Sequence, residues 1–170
     1  APLCLAFRGC VDLETVVCVT AQHREMLDQV MDVFSLSPDI DLNIMKKNQD
    51  LSDVTSKILL NMREVFNLHN PDIVFIHGDT TTTMATAMAA FYAGIPVAHV
   101  EAGLRTHDIM APFPEEFNRR FASIITQFHF APTALSKANL VAENISPKRI
   151  WITGNTVIDA LYWVIREVEN

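Results

Sequence analysis

The sequence predicts an α/β fold, a Rossmann-like parallel sheet with helices on both faces, on three observations. Apolar periodicity alternates between strand-like and helix-like segments along most of the 170 residues. Two strand candidates, DIVFIH (72–77) and PVAHV (96–100), are nearly continuous apolar runs, as strands covered on both faces should be. The glycines at 9, 78, 94, 103 and 154 all fall at the ends of proposed elements. Strand and helix in alternation imply a parallel sheet.

Each element has its own signal. Leu3 to Phe7 reads as a short helical piece, and the β-branched run TVVCV (15–19) as the first visible strand. A helix follows over 22–35, with Met26, Leu27, Val30, Met31 and Phe34 on one face. A short strand near 41–44 precedes a helix over 52–69, whose stripe is Leu51, Val54, Ile58, Met62 and Val65. Pro71 ends that helix, and DIVFIH is the next strand. Residues 80–93, rich in alanine and methionine, form a helix closed by Gly94. Then come a strand at 96–101, a loop, a helix at 114–127, a strand at 128–131, a helix at 133–144, a strand at 150–153 and a last helix from 155. That helix carries Val157, Leu161, Val164 and Val168 as a stripe suited to a core or an interface. A doubly wound sheet normally opens with a strand and a glycine-rich turn. Neither precedes Ala1, so the first strand is read as missing.

Composition narrows the function. The hydrophobic share of 49% is ordinary, while the charged share of 19% falls below the usual figure of about 25%, which suggests surface hidden by another domain or subunit. Net charge is −7, from 13 basic and 20 acidic residues with no basic run, which argues against a nucleic-acid partner. Cys4, Cys10 and Cys18 fit neither a zinc site nor a redox pair and read as free thiols in a reducing cytoplasm. No full charge lies between Thr80 and Val100, but Gly94 and Pro96 split that stretch into pieces too short for a membrane span.

The chemistry concentrates in an echo. FIHGDTTTT (75–83) and AHVEAGLRT (98–106) each place a histidine, one spacer and a carboxylate before a small-residue turn. In parallel α/β sheets ligands sit beyond the carboxyl ends of strands, where Asp79 and Glu101 fall. The loop APFPEE adds Glu115 and Glu116, with Pro112 and Pro114 stiffening the approach. Three acids at one sheet edge suit general acid–base work. Taken singly, Asp79 suits a helix N-cap and the glutamates suit a first helical turn. His77 and His99 read as core residues or, with the two carboxylates, as ligands of a metal-dependent hydrolase. Arg105, Arg119 and Arg120 could pair with these acids or hold a phosphate.

Five blocks, VTAQHREMLDQV, HGDTTTTMA, HVEAGLRT, PEEFNR and ITGNTVIDAL, in this order and spacing, closely resemble the bacterial non-hydrolysing UDP-N-acetylglucosamine 2-epimerases. The resemblance runs from about Val17 to Leu161. It implies one half of a glycosyltransferase-B-type fold, with residues 1–154 a Rossmann-like amino-terminal domain shortened at its start. Residues 155–170 would be a helix leading towards a carboxy-terminal domain outside the chain. It implies an isomerase that interconverts UDP-N-acetylglucosamine and UDP-N-acetylmannosamine by elimination and re-addition of UDP. That reaction serves envelope polysaccharides such as enterobacterial common antigen. The catalytic acids would be Asp79, Glu101 and Glu115, with Gln22, His23 and Arg105 binding substrate or activator. No cofactor or metal is implied, and the protein would be a cytoplasmic homodimer. Lys57 stands where many members have an arginine at the activator site. The groups expected to hold the diphosphate lie outside these 170 residues, so this chain alone is expected to be inactive. A non-catalytic remnant that binds a nucleotide sugar or a partner is the alternative.

Overall fold

The computed structural model describes residues 1–21, 24–46 and 48–169, which fall into two compact units. One unit joins residues 1–48 to 156–170, and the other is Gln49–Asn155.

In the first unit, helix α1 (Pro2–Arg8) precedes strand β1 (Cys18–Val19), helix α2 (Arg24–Val33) and strand β2 (Ile40–Asp41), and helix α7 (Thr156–Glu169) belongs to the same unit. The two strands pair in parallel, Cys18 opposite Ile40 and Val19 opposite Asp41. Ladder bonding covers less than the apolar run 15–19. Asp39 accepts the Val17 N–H at 2.7 Å and Arg8 at 2.8 Å, so a side chain takes the place of a ladder partner there. On α2 and the residue after it the inward line is Leu27, Met31 and Phe34, while Met26 and Val30 of the expected face are exposed. Positions 27, 31 and 34 follow the 3.6-residue period, and the other two lie about one residue off that line. Phe34 meets Trp163 of α7 with ring centroids 4.6 Å apart. Of the expected α7 stripe, Val157 and Leu161 are exposed and Val164 is half-buried, while the side chain of Val168 lies outside those described.

The second unit follows the sequence reading closely. Helix α3 (Leu51–His69) starts at Asp50, whose carboxylate accepts the Asp53 N–H at 2.8 Å while Asp53 returns the bond at 3.2 Å. This reciprocal pair satisfies two N–H groups that a helix start otherwise leaves open. Its buried line is Val54, Ile58, Met62 and Phe66. Val65 was expected in that place, but the strict four-residue steps from Val54 continue to Phe66. Strand β3 (Val74–His77), helix α4 (Thr81–Tyr92), strand β4 (Val97–Val100), helix α5 (Glu115–Ile125), strand β5 (Phe128–Ala131), helix α6 (Ala134–Ala142) and strand β6 (Ile150–Ile152) complete the unit. A short 3-10 turn at Pro147–Arg149, absent from the sequence reading, leads into β6.

The four strands lie parallel in the order β3-β4-β5-β6. With the three connections running in one direction, the right-handed rule for parallel crossovers places α4, α5 and α6 on one face. That face holds Ile76, His99, His129 and Ile150, aligned across the sheet and buried. The other face carries Phe75, Phe128, Phe130 and Trp151, with Phe75 and Phe130 stacked at 6.1 Å. β4 is buried throughout, as expected of an inner strand. β3 is not, because it ends the ladder, and Phe75 and His77 are exposed. Helix α4 is buried on nearly every side, its alanines and threonines allowing α3 and α5 to pack closely. Among the described residues no helix is long and apolar enough to cross a membrane.

Candidate functional site

β3 ends at His77, and Gly78 and Asp79 turn the chain into α4. The cap of this helix is Thr80, whose hydroxyl accepts the Thr83 N–H at 3.3 Å. Thr83 in turn donates its hydroxyl to the His77 carbonyl at 2.6 Å. The capping role for which Asp79 was a candidate thus belongs to a threonine, and the aspartate is left for something else. Its carboxylate accepts from Arg119 of α5 at 2.6 Å, and its main-chain carbonyl accepts from Asn118 at 2.9 Å.

Arg119 has a second partner. Its Nη1 lies 3.4 Å from Oε2 of Glu116, one turn earlier on α5. Glu116 is fully buried, and it also accepts the Thr106 and His107 N–H groups at 3.1 and 3.3 Å. A buried carboxylate needs such partners to remain inside. One acid thereby ties the 104–108 loop, α5 and Asp79 together. Glu115 is half-buried, and its side chain makes no hydrogen bond or ion pair among the described residues. Of the two neighbouring glutamates, one is bound into the structure, and the other's carboxylate has no protein partner among the described residues.

Glu101 follows β4 with φ at 67°, a left-handed conformation that costs a non-glycine residue on the order of 1 kcal/mol or more. Continued strand alternation would send its side chain to the side of His99. The left-handed turn redirects it, and Oε2 comes within 4.0 Å of Nε2 of His77, itself 59% exposed. Oε1 accepts from Nδ2 of Asn155 at 3.0 Å.

The histidine echo does not form one cluster. His99 lies opposite Ile76 and His77 opposite Val100, so the two histidines point to opposite faces of the sheet. That placement gives no support to a shared two-histidine metal site. His99 is buried, and its Nε2 donates to the Gly78 carbonyl at 2.7 Å, which fixes the neutral tautomer. Burial pushes its pKa down to about 4, and the same cause brings its cross-strand neighbour His129 down to about 4.

Arg105 is wholly enclosed. Its guanidinium forms a two-pronged pair with Glu143, the C-cap of α6, at 2.8 Å on each oxygen. It also donates to the Ser123 hydroxyl at 2.9 Å and the Leu104 carbonyl at 2.7 Å. With these donors engaged, it fastens the loop after β4 to α5 and α6. Burial works against the Glu143 carboxylate, but the hydrogen bond from Arg105 outweighs it and lowers the carboxyl pKa below its usual value. Gly103 presses the same loop against α6, where a Cβ would lie 2.3 Å from the Ser136 carbonyl oxygen. Asn139 of α6 donates to the Gly103 carbonyl at 3.0 Å. Gln22 and His23 lie outside the described residues. Lys57 is half-buried on α3.

Asn118 and Asn155 were not singled out from the sequence, and there Glu116 reads only as an acid of a first helical turn, not as the tie between the 106–107 backbone and Arg119. The three-residue interval from Glu116 to Arg119 was a legible hint of an i,i+3 ion pair. Asn118 and Asn155 act across 39 and 54 residues, a reach that local spacing does not reveal. As built, the edge beyond β3 and β4 offers two oriented carboxylates, one held by a cation and one by a neutral amide. Such groups exchange protons and stabilise developing positive charge.

Comparison with known proteins agrees with this geometry. The UDP-N-acetylglucosamine 2-epimerase family model matches residues 6–170. A UDP-N-acetylglucosamine 2-epimerase of Escherichia coli K12 is 54% identical over 168 residues, covering 99% of this chain and 45% of that protein. The crystal structure of the Neisseria meningitidis UDP-GlcNAc 2-epimerase bound to UDP-GlcNAc superposes with a TM-score of 0.96 at 49% identity, over 99% of this chain and 45% of that one. The Methanocaldococcus jannaschii enzyme, solved with UDP-GlcNAc and UDP, gives 0.91 at 34% identity, over 99% and 46%. The chain thus spans less than half the length of these relatives. With an edge of oriented acids on a parallel sheet, and a family match across nearly all its residues, the chain belongs to the UDP-N-acetylglucosamine 2-epimerase family.

Proposed function

We propose that this chain forms the amino-terminal part of an isomerase that interconverts UDP-N-acetylglucosamine and UDP-N-acetylmannosamine. The observation that carries the reading is Glu101: a carboxylate at a strained backbone position, turned to the sheet edge where Asp79 also stands. The C2 proton of the sugar is not acidified by an adjacent carbonyl, so departure of UDP develops positive charge at the anomeric carbon first. Carboxylates beside that carbon stabilise the charge, and one of them takes the C2 proton to give an unsaturated sugar. Re-addition of UDP with protonation from the other face inverts C2. Asp79, Glu101 and Glu115 are the residues proposed for these tasks, and Arg105 for holding the loop that carries Glu101. Gln22 and His23 remain proposals for a second, activating sugar nucleotide. The product would feed envelope polysaccharide synthesis.

Residues 1–154 would form one domain of the whole enzyme, with α7 leading into the second. Positioning of the departing diphosphate supplies much of the rate in such a reaction. This segment alone is therefore expected not to turn over, as a binding module would not. Incubation with UDP-N-acetylglucosamine in D₂O, followed at the C2 proton by NMR, tests both readings. The 170-residue chain should exchange no faster than buffer. Joined in frame to the carboxy-terminal remainder of the E. coli relative, it should exchange, and Asp79→Asn or Glu101→Gln should slow it about 10²- to 10⁴-fold. Near-normal exchange in either variant would remove that residue from the mechanism, and a silent fusion would favour a non-catalytic role.

A further inference from the structure

Asn155 belongs to the ITGNT block, yet no step above uses it directly. β6 ends at Ile152, and the Thr153 N–H still bonds the Ala131 carbonyl at 3.0 Å. Gly154 then takes φ at 78°, which turns the chain back over the sheet edge. The next side chain reaches across 54 residues of sequence to donate from Nδ2 to Oε1 of Glu101 at 3.0 Å. The other oxygen, Oε2, faces Gly78, where an added Cβ would stand 3.5 Å from it, and lies 4.0 Å from His77. The two oxygens of Glu101 are thus unequal: one is occupied by an amide, and the other lies towards the β3–α4 turn that carries Asp79.

We infer that Asn155 is a positioning residue for the reaction, holding Oε1 so that Oε2 is the oxygen that handles the C2 proton. This rests on the acid–base reading of Glu101 above. A glutamate at the end of a strand has three rotatable side-chain bonds, and one amide contact selects among their rotamers. The kind of donor matters too. Asp79 is held by a guanidinium, whereas the group that holds Oε1 of Glu101 is a neutral amide, which restrains the carboxylate without adding a charge. A group that must both accept and release a proton is better served by the neutral partner.

The test has two arms. In the 170-residue chain, ¹⁵N-resolved NMR should show an Asn155 side-chain amide proton displaced from the free-amide position, and Glu101→Ala should shift it. An amide signal indifferent to Glu101 would overturn the inference, whatever the enzyme does. In the fusion described above, Asn155→Leu should lower kcat about 10- to 100-fold with KM within about twofold, because orientation rather than binding is lost. Asn155→Gln, which keeps an amide, should recover part of that loss, while Asn155→Asp should not. Wild-type kcat in Asn155→Leu, or kcat and KM worsening together without rescue by Gln, would also overturn it. A silent wild-type fusion whose amide signature is intact would instead sink the epimerase reading, and this role with it.

Discussion

Glu115 and Glu116 show how much separates two identical residues one position apart. Both fall in a first helical turn, where a carboxylate is favoured by the helix dipole. Only the helix rotation decides that Glu116 is buried against the 106–107 backbone and Arg119 while the Glu115 carboxylate has no partner among the described residues. The histidines yield a prediction at this scale. His99 and His129 have pKa values lowered from 6.5 to about 4 by burial. Their neutral forms are favoured in the fold, whereas the unfolded chain takes up protons below about pH 6.5. Stability is therefore fully present above that pH and is lost as pH falls towards 4. By pH 5 the loss should be roughly 2 kcal/mol for each histidine. Urea midpoints at pH 7 and pH 5 measure it, and His99→Gln should flatten the dependence. An unchanged midpoint in the native chain would mean that the rings are hydrated.

At the scale of elements, the loop after β4 is the part on which the site depends. Three fastenings hold it to α6: the Arg105–Glu143 pair, the Asn139 bond and the close approach of Gly103. Gly103 has φ at 91° and would bring a Cβ within 2.3 Å of backbone oxygen, so neither the conformation nor the space admits a side chain. Gly103→Ala should cost about 3 kcal/mol in a urea titration and displace Glu101. Stability within about 0.5 kcal/mol of the native chain would show that α6 yields easily. The elements themselves were largely legible in the sequence, because α3 and α4 have long apolar periods with clear ends. The terminal strands were less so. The run 15–19 supports only a two-residue ladder, since Asp39 bonds the Val17 N–H, and a side chain 22 residues away leaves no periodic trace.

For the whole molecule, the low charged share pointed to hidden surface, and exposed apolar side chains are present. Leu60 and Leu68 of α3 and Val157, Ile158, Leu161 and Tyr162 of α7 are all half or more accessible. Apolar exposure on this scale favours association, and we propose that the chain dimerises. Sedimentation velocity at tens of micromolar should give a dimer or larger species that gains monomer when Leu60 and Leu68 are changed to Ser. A clean monomer of the native chain at that concentration would refute this.

The sequence by itself determined the order of strands and helices, the parallel α/β class and the family, because periodicity, glycine placement and contiguous motifs are local signals. It also identified Asp79, Glu101 and Glu115 as candidate acids. Only the tertiary structure decided how those acids are held: Asp79 on Arg119, Glu101 in a left-handed turn against Asn155, and Arg105 enclosed by Glu143. It also decided that His77 and His99, alike in their motifs, lie on opposite faces. The two-residue alternation is a property of one strand, whereas the relation between strands is set by register. Contacts across 38 to 54 residues are made by sheet order and helix packing, which no short stretch of sequence encodes.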